Sequence, residues 1–554
     1  MSDRMLSLKR DSLLNLLTDL VSVPSVSCSG HENRLAELIM EKFSGEAYFR
    51  ENPSHLRLLP LEGDPLERHG AAAFYRAGPE VRETIIITGH YDVVDAEAYG
   101  PLKELAFSPR ELTARAGELD LTDEARADLE SGEYLFGRGV SDMKGGIALM
   151  MAFLAETARA GDFPVNLLFL GVPDEENTSA GMRGCLPWLI RLREEWGIDY
   201  AAAVSAEPSM GTPERSGGMV FLGAIGKMMP FFLCVGNEAH VCDYYDGLNT
   251  SLILANLALI LEGAAGTSEE HAGVNLPPMA CLRFRDLVKN YSVTLPERAI
   301  SYYNLLTVKK TPAMVLKEMK AAAGKALEDA IGRIAHQRRV LAERVGERLD
   351  FTPPVGRVME FSELVQRARE KTSGFDAAVK SFMESLPGDL DKRERGVELV
   401  YHLLDLAGEK GPLIVTGFLP PYYPPRLNLG ETSGEKAILR AVERLKAEGE
   451  RSGLHISTTE VFSGIIDLSY FGFQGDGADL DLLAENTPLW GSEYRFPLEE
   501  LKCLDIPAVN FGPIGKDDHK AGERIHLPFY LDSLPGLFSS FVRFVAEESA
   551  MSER

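Results

Sequence analysis

The sequence predicts an α/β protein, in which a mostly parallel sheet is flanked by helices and interrupted by an inserted α+β domain. Three nearly unbroken apolar runs, at 84–88, 165–171 and 201–205, have the composition of strands that are buried on both faces of a sheet. Helical stretches separate these runs, notably 143–159 and 181–196. This alternation is typical of a parallel sheet with helical crossovers.

Size and charge narrow the class of protein. At 554 residues the chain exceeds the size at which one hydrophobic core keeps growing, so we expect two or more domains. A content of 45% apolar and 25% charged residues is globular. The 83 acidic residues outnumber the 58 basic ones, and the formal net charge of −25 disfavours nonspecific binding to nucleic acid or to an anionic membrane.

The six cysteines are dispersed and none lies in a Cys-x-x-Cys pair, which predicts reduced thiols. The N-terminus turns polar before an apolar core of signal-peptide length develops. The most apolar helical stretch, 252–261, is about half of the ~20 residues that cross a bilayer. We therefore expect a soluble, cytoplasmic protein with no membrane partner.

In chain order, helices are expected at about 7–21, which Pro24 ends, and from near Ser29 onward. After Pro213 the pattern changes, and the following elements are predicted: a strand at 227–236, a helix at 250–261, a strand at 299–308, one or two long helices within 312–349, and a polar helical stretch at 351–411. A rigid punctuating segment is expected at 420–425, before a helix at 434–449, a strand at 506–511 and a helix at 530–546. These patterns predict a first domain at 1–212, an inserted domain at 213–411 and a return to the first domain at 412–554.

Five short segments contain side chains that can bind divalent metal ions, and they fall beyond the ends of predicted strands. The candidate residues are His90 and Asp92, Asp142, Glu175 and Glu176, Glu207, and His519. In open α/β sheets the ligand crevice lies beyond the carboxyl ends of the strands. The combination therefore favours one shared metal site.

Each segment also has an ordinary structural interpretation. His90 could be a satisfied strand-end histidine, and Asp142 could be the N-cap of the following helix. The paired glutamates could form a solvated acidic loop, while Glu207 and His519 could be ordinary loop residues. Glycines around Asp142 favour a crowded site, because they let the backbone approach closely.

The spacing of these residues suggests a separate chemical role for each. His90 and Asp92 alternate on an extended chain end, so one can bind a metal while the other orients the imidazole. Of two adjacent glutamates, one can bind a cation and the other can take a proton from water as a general base. The two oxygens of the Asp142 carboxylate could bridge two metals.

In order and spacing, these segments resemble the family of metal-dependent amidohydrolases and exopeptidases that includes aminoacylase, acetylornithine deacetylase, succinyl-diaminopimelate desuccinylase and carboxypeptidase G. The resemblance implies a zinc-peptidase-like catalytic domain with two divalent metal ions, zinc first, with cobalt or manganese as alternatives. It implies that the first metal is held by His90, Asp142 and Glu207, and the second by Asp142, Glu176 and His519. Glu175 would be the general base, and Asp92 would orient His90.

The inserted domain resembles the lid and dimerisation domain of the same family, whose Gly-x-x-x-His segment supplies a histidine to the oxyanion, often across a dimer. Residues 236–240 fit that segment, so His240 is expected to be catalytic and a homodimer is an expected assembly. A structural role for His240 remains the alternative.

Two features depart from the family pattern. The helices from about Gly332 onward have no counterpart in the lid, and the family's late Gly-Gly-Thr-Asp-like segment appears only loosely at 464–467. The size, the long insertion and the proline-rich segment resemble most the RocB-type arginine-utilization branch.

The resemblance implies an amidohydrolase that acts on an N-acyl amino acid or a small peptide, within arginine or amino-acid catabolism. A non-catalytic, metal-stabilised binding or regulatory protein on the same fold is the alternative. Side chains that could pair with a substrate carboxylate are Arg283, Arg285, Arg298, Lys516 and Lys520. Those that could meet a guanidinium are Glu238, Asp243 and Asp246.

Overall fold

The structure is a computed structural model that describes residues 9–210, 216–288, 292–346, 352–388, 390–462 and 464–552. The chain forms two compact units. The first comprises residues 1–225, 425–473 and 497–554, and the second comprises 226–424 and 474–496. The predicted division placed the changes at 212/213 and 411/412, and it did not include the second excursion at 474–496.

The strands, in chain order, are β1 (Leu56–Pro60), β2 (His69–Tyr75), β3 (Glu83–His90), β4 (Tyr134–Phe136), β5 (Asn166–Val172), β6 (Asp199–Ser205), β7 (Ser209–Met210), β8 (Ser216–Phe221), β9 (Gly223–Ala224), β10 (Gly226–Val235), β11 (Glu270–His271), β12 (Val274–Asn275), β13 (Ala280–Asp286), β14 (Arg298–Thr307), β15 (Arg357–Glu360), β16 (Leu413–Tyr423), β17 (Arg426–Leu427), β18 (His455–Thr459), β19 (Ala508–Phe511), β20 (Ile514–Lys516) and β21 (Arg524–His526).

The α-helices are α1 (Arg10–Val21), α2 (Glu32–Ser44), α3 (Ala47–Glu51), α4 (Pro109–Arg115), α5 (Asp123–Ser131), α6 (Lys144–Ala160), α7 (Ala180–Trp196), α8 (Thr250–Leu261), α9 (Pro312–Val345), α10 (Phe361–Lys371), α11 (Phe375–Ser385), α12 (Lys392–Ala407), α13 (Ser433–Arg451), α14 (Gly477–Glu485), α15 (Leu498–Leu504) and α16 (Leu534–Ser552). Among the residues described, no helix combines the length and the apolar composition that a membrane span needs.

An eight-stranded sheet forms the core of the first unit, in the order β1-β2-β5-β3-β6-β19-β8-β18. Its central strands β5, β3, β6 and β19 are parallel, while β1 and β2 add antiparallel strands at one edge. Ile85, Ile86 and Ile87 on β3 are all fully buried, as expected for a strand covered on both faces. The predicted α/β class with a mostly parallel sheet flanked by helices is confirmed.

Helix α6 packs very closely against the carboxyl end of the sheet. A Cβ atom on Gly146, in the first turn of the helix, would lie 2.1 Å from the carbonyl oxygen of Ala206, just beyond β6. Gly139, with φ of 78°, turns the chain before the helix begins. This close approach brings the loop that carries Asp142 beside the loop that carries Glu207.

The second unit is built on a five-stranded sheet in the order β13-β14-β10-β16-β15. Its first four strands are antiparallel, and β15 pairs in parallel with β16. Helices α8 and α9 contact this sheet. Helices α10 and α12 pack against each other and against β16, and α11 packs against α12. The region predicted as one or two long helices is a single helix over its described residues, because α9 runs unbroken from Pro312 to Val345.

The proline-rich segment at 420–425 departs from its prediction, since residues 420–423 continue strand β16. Two neighbouring conditions allow prolines there. β15 pairs only with residues 413–416 of β16, so the prolines lie beyond the end of that neighbour. The register with β10 also shifts between Lys227 and Met229, opposite the prolines. Proline, which lacks an N–H group, is tolerated where no ladder hydrogen bond is needed.

Candidate active site

Parallel strands β5, β3 and β6 end at the same edge of the first unit's sheet, and each delivers a predicted site residue there. His90 is the last residue of β3, Glu175 and Glu176 follow β5, and Glu207 follows β6. Asp142 lies just before α6, and His519 lies just after β20. These six residues span more than four hundred positions of the chain, yet all belong to one compact unit.

The carboxylate of Asp142 lies between two imidazoles. Its Oδ1 is 3.0 Å from Nε2 of His90, and its Oδ2 is 3.1 Å from Nε2 of His519. Each oxygen of one carboxylate therefore faces a different histidine. This is the arrangement that a bridging carboxylate requires.

Further carboxylates flank the two histidines on separate sides. Oε1 of Glu207 is 3.6 Å from Nε2 of His90, whereas Oε2 of Glu176 is 3.0 Å from Nε2 of His519. Ligand atoms of His90, Asp142 and Glu176 all lie within 4.8 Å of one another, a grouping that could hold a metal ion. The structure thus brings together all five residues that were predicted as metal ligands.

Asp92 contacts more than His90. Nδ1 of His90 lies 3.0 Å from the backbone carbonyl of Asp92 and 3.5 Å from its carboxylate. The carboxylate instead accepts hydrogen bonds from the backbone N–H groups of Glu175, at 3.1 Å, and Glu176, at 3.3 Å, and from the hydroxyl of Ser27, at 2.5 Å. Asp92 therefore fixes His90 through its backbone carbonyl. Through its carboxylate it fixes residues 173–179, the loop between β5 and α7 that we call the glutamate loop.

Glu175 occupies a different position from Glu176. Its side chain is buried, and its Oε2 lies 4.0 Å from Nε2 of His90, a longer distance than those made by Asp142 and Glu207. Burial raises the pKa of Glu175 well above its usual range, and the charges of Asp467, Glu176 and Glu207 add to that rise. Such an environment suits a carboxylate that exchanges protons.

Asp174, which precedes the two glutamates, holds the end of the glutamate loop through its side-chain contacts. Its carboxylate accepts hydrogen bonds from the Thr178 hydroxyl, at 2.5 Å, and from the Ala180 backbone N–H, at 3.1 Å. It also pairs with the buried guanidinium of Arg68 at 2.5 Å. These contacts occupy the Asp174 carboxylate, whereas Glu175 and Glu176 lie 4.0 and 3.0 Å from the imidazoles of His90 and His519.

A buried ion pair ties the Asp142 loop to the His519 loop. Arg138 pairs with Glu523 and also donates to the backbone carbonyl of His519 at 3.2 Å. Oε1 of Glu523 accepts the backbone N–H of Gly139 at 2.7 Å, with Asp142 N at 3.4 Å. Burial raises the pKa of Glu523 to about 8, while the Arg138 guanidinium and the backbone N–H groups favour its carboxylate form.

Asn510 on β19 fixes the backbone of Glu207 from both directions. Its Oδ1 accepts from Glu207 N at 2.8 Å, and its Nδ2 donates to Glu207 O at 3.1 Å. No local pattern in the sequence marks Asn510 or the Arg138–Glu523 pair, because their partners include backbone groups of loops that come together only in the fold. For Arg138, its place inside the glycine-rich segment was the available hint.

The histidines and carboxylates of the candidate site shift one another's pKa values. Hydrogen bonds to Asp142 and Glu176 raise the pKa of His519 to about 11. Burial opposes protonation of His90, but the charge of Glu207 and contacts with Asp142 and Asp92 outweigh it and raise the pKa of His90. Burial also opposes ionisation of Asp142, but hydrogen bonds from the two histidines lower the pKa of its carboxyl.

His240 belongs to the second unit. It precedes a short 3₁₀ helix, Val241–Asp246, and its Nδ1 accepts a hydrogen bond from the backbone N–H of Cys242 at 3.2 Å. The side chain is exposed. Its proposed role toward an oxyanion stays a prediction.

The chain matches known proteins over most of its length. The model of Peptidase family M20/M25/M40 matches residues 86–471. YqjN of Bacillus subtilis (strain 168) is 32% identical over 551 residues, covering 98% of this chain and 97% of that protein. The chain belongs to this peptidase family. It is accordingly a metal-dependent hydrolase of C–N bonds, as the order of its motifs predicted.

Two further comparisons add detail. RocB of Bacillus subtilis (strain 168) is 27% identical over 526 residues, covering 94% of this chain and 92% of that protein. The fold is similar to that of Sso-CP2, an M20 family metallo-carboxypeptidase from Sulfolobus solfataricus, with a TM-score of 0.52, 13% identity, and coverage of 98% of this chain and 100% of that one. The resemblance on which the family prediction rested is therefore confirmed.

The basic side chains considered as substrate-carboxylate partners have acidic neighbours of their own. Lys516 pairs with Asp128 at 2.9 Å, and Lys520 with Asp517 at 3.2 Å. In the second unit, Arg283 and Arg285 both pair with Glu394, and Arg298 pairs with Asp405 at 2.6 Å. Asp246, considered as a guanidinium partner, lies 3.2 Å from Arg338.

We expect Arg138→Met to destabilise the first unit strongly. The substitution leaves Glu523 buried without its cation, and breaking a buried ion pair in this way costs about 3–5 kcal/mol. Urea unfolding followed by circular dichroism measures the effect. The matched control is Arg115→Met, which removes an exposed, solvent-screened pair with Glu118 and is expected to shift the unfolding midpoint little. Equal shifts of the two midpoints would show that the Arg138–Glu523 pair does not hold the two loops.

Proposed function

We propose that the protein hydrolyses an amide bond in an N-acyl amino acid or a short peptide, using two divalent metal ions. The single observation that carries this proposal is the position of Asp142, whose two oxygens face His90 and His519 at 3.0 and 3.1 Å. A carboxylate that faced only one imidazole would serve a single metal.

The donors around Asp142 fit this proposal. His90 and Glu207 would complete the first metal position, and Glu176 and His519 would complete the second. Imidazole and carboxylate ligands suit zinc, manganese and cobalt, and we propose zinc. A divalent cation held there would act as a Lewis acid, polarising the scissile carbonyl and lowering the pKa of a water molecule.

Glu175 is the proposed general base. It is buried and anchored by the hydrogen bond from its backbone N–H to Asp92, while its Oε2 stays 4.0 Å from Nε2 of His90. From this position it would take the proton of the attacking water and deliver it to the leaving amine. Glu176, in close contact with His519, would then hold metal, which divides the work of the two adjacent glutamates.

The proposed substrate class rests on the relatives. The neighbour from Sulfolobus solfataricus is described as a metallo-carboxypeptidase, and the likeness to RocB extends over almost the whole chain. We propose a small substrate that carries a free amino-acid carboxylate. Its hydrolysis would belong to amino-acid catabolism, and within it to the use of arginine.

Glu175→Gln is expected to lower kcat by about a hundredfold to ten-thousandfold, because a neutral amide cannot accept the proton. Metal content, measured by elemental analysis of the purified protein, is expected to stay at the wild-type value. Hydrolysis is followed over a panel of N-acyl amino acids and dipeptides, with the exposed Glu499→Gln as the control. Wild-type protein that retains metal but cleaves no member of the panel would point to the non-catalytic alternative.

Removal of metal is expected to lower Tm, and more at about pH 8 than at about pH 6. The folded-state pKa of His519 is raised to about 11, so between about pH 6 and about pH 8 the metal-free folded protein keeps a proton on His519 that the unfolded chain loses. Its stability therefore falls as the pH rises. Metal binding requires loss of that proton and is favoured in the same direction.

The measurement is thermal unfolding with and without a chelator at both pH values. Asp142→Asn, which replaces a bridging oxygen, serves as the control and should respond little to the chelator. A wild-type Tm that ignores the chelator at both pH values would contradict the metal proposal.

We also propose a homodimer formed through the second unit. Strand β13 is the edge of its sheet and exposes Leu282 and Phe284, with 52% and 47% of their surface accessible. Helix α8, which contacts β13, exposes Leu259 at 85%. An exposed apolar edge strand beside an apolar helix is a surface that pairs readily with a second copy. In such a dimer, His240 would be the residue offered to the oxyanion, as the family pattern implies.

Leu282→Lys is expected to convert the dimer to a monomer of 60.9 kDa. In a two-fold interface the substitution introduces two buried charges at once, because the same patch serves both copies. Sedimentation velocity gives the mass, and Leu429→Lys, which alters a residue equally exposed in the first unit, is the control. A mutant that sediments like the wild type would place the interface elsewhere.

A further inference from the structure

Asp467 is a buried carboxylate that the metal chemistry does not use. Its side chain is 5% exposed, and neither of its oxygens makes a hydrogen bond of standard geometry to a residue that the structure describes, although the Ser179 hydroxyl lies close enough to favour the ionised carboxylate. An ionised carboxylate buried without a partner is costly, by several kcal/mol as a rough measure. Such a group is retained where a partner arrives from outside the chain.

The backbone places Asp467 at the candidate active site. It begins a short 3₁₀ helix, Asp467–Phe471, which packs against α7 and against strands β6 and β19. Strand β6 leads to Glu207, and α7 begins just after the glutamate loop. The helix is fixed in place, since Ser469 donates to the carbonyl of Ile225 at 3.1 Å.

The electrostatic environment places Asp467 on one side of the cluster. Its charge raises the pKa of Glu175 and of Glu207, whereas Glu176 responds chiefly to Asp142 and the two histidines. Burial raises the pKa of Asp467 itself to about 7, with the hydroxyl of Ser179 and the charge of His90 opposing that rise. Asp467 therefore lies within electrostatic reach of Glu175, Glu207 and His90.

A count of charges leaves Asp467 in excess. Two divalent ions would bring four positive charges, and Asp142, Glu176, Glu207 and the ionised Glu175 would bring four negative ones, which balance them. Asp92 is balanced by two backbone N–H groups and a hydroxyl, and Asp174 by Arg68. Glu175 must remain free to carry a proton. Asp467 alone among these acids has neither a described partner nor an assigned task.

We propose that Asp467 receives a cationic nitrogen group of the substrate, an ammonium or a guanidinium, beside the scissile amide. This inference rests on the proposed function, and it deepens it by naming a feature of the substrate. A carboxylate accepts two N–H donors side by side, and charge-assisted hydrogen bonds of this kind are about twice as strong as neutral ones. Lys516 and Lys520, the basic side chains beside His519, are not available as cations for Asp467, because they already pair with Asp128 and Asp517.

The experiment measures binding of three small molecules to the metal-loaded protein by isothermal titration calorimetry. Arginine carries both cationic groups, citrulline keeps only the α-ammonium, and 5-guanidinopentanoate keeps only the guanidinium. If the guanidinium is the source, arginine and 5-guanidinopentanoate bind about tenfold or more tighter than citrulline. If the α-ammonium is the source, arginine and citrulline bind tighter than 5-guanidinopentanoate by a similar factor.

Asp467→Asn is expected to abolish the preference in either case, whereas the exposed Asp120→Asn leaves it unchanged. Asp467→Ser replaces the first variant if the asparagine protein does not fold. The same order of the three affinities in wild type and Asp467 variants would overturn the inference, as would wild-type protein that binds none of them. Hydrolysis of a neutral N-acyl amino acid by the wild type is measured separately, and its failure would count against the proposed function alone.

Discussion

The contact on which the site depends is the pair of short distances from the Asp142 carboxylate to His90 and His519. Two structural conditions maintain it. Gly146 lets α6 approach the carboxyl end of β6, where a side chain would collide with the Ala206 carbonyl. The Arg138–Glu523 pair then holds the Asp142 loop and the His519 loop together, through backbone groups of both. The carboxylate is placed by its scaffold, so the site does not depend on the histidines alone to locate it.

The sequence was most informative about site residues that directly follow a single buried strand. His90, Glu175, Glu176 and Glu207 all follow apolar runs, and the carboxyl ends of parallel strands must meet at one edge of a sheet. Asp467 was harder to assign. Its segment at 464–467 matched the family pattern only loosely, and nothing local distinguishes a carboxylate that will be buried without a partner from one that will be solvated. Burial of that kind is a property of the packed fold.

Long-range contacts explain the other differences. Period-two spacing gave His90 and Asp92 a common direction, but it could not show that Asp92 accepts the N–H groups of Glu175 and Glu176, which come more than eighty residues later. Proline content predicted a break at 420–425, and local propensity is a sound basis for that expectation. The strand continues because its neighbour β15 ends before the prolines, a fact about strand pairing that composition does not contain.

The order of the chain constrains how the site can form. His90, Asp142, the glutamate loop and Glu207 belong to the first pass through the first unit, Asp467 to the return at 425–473, and His519 to the second return at 497–554. One imidazole that faces Asp142 is therefore supplied before the second unit and the other after it. Since contacts of such high sequence separation carry the loop-closure cost of everything between them, the pairing of His519 with Asp142 can be stable only once the first unit's sheet has taken up β19 from the returning chain. The metal positions and the carboxylate of Asp467 are thus completed by the same returning segments that complete the sheet.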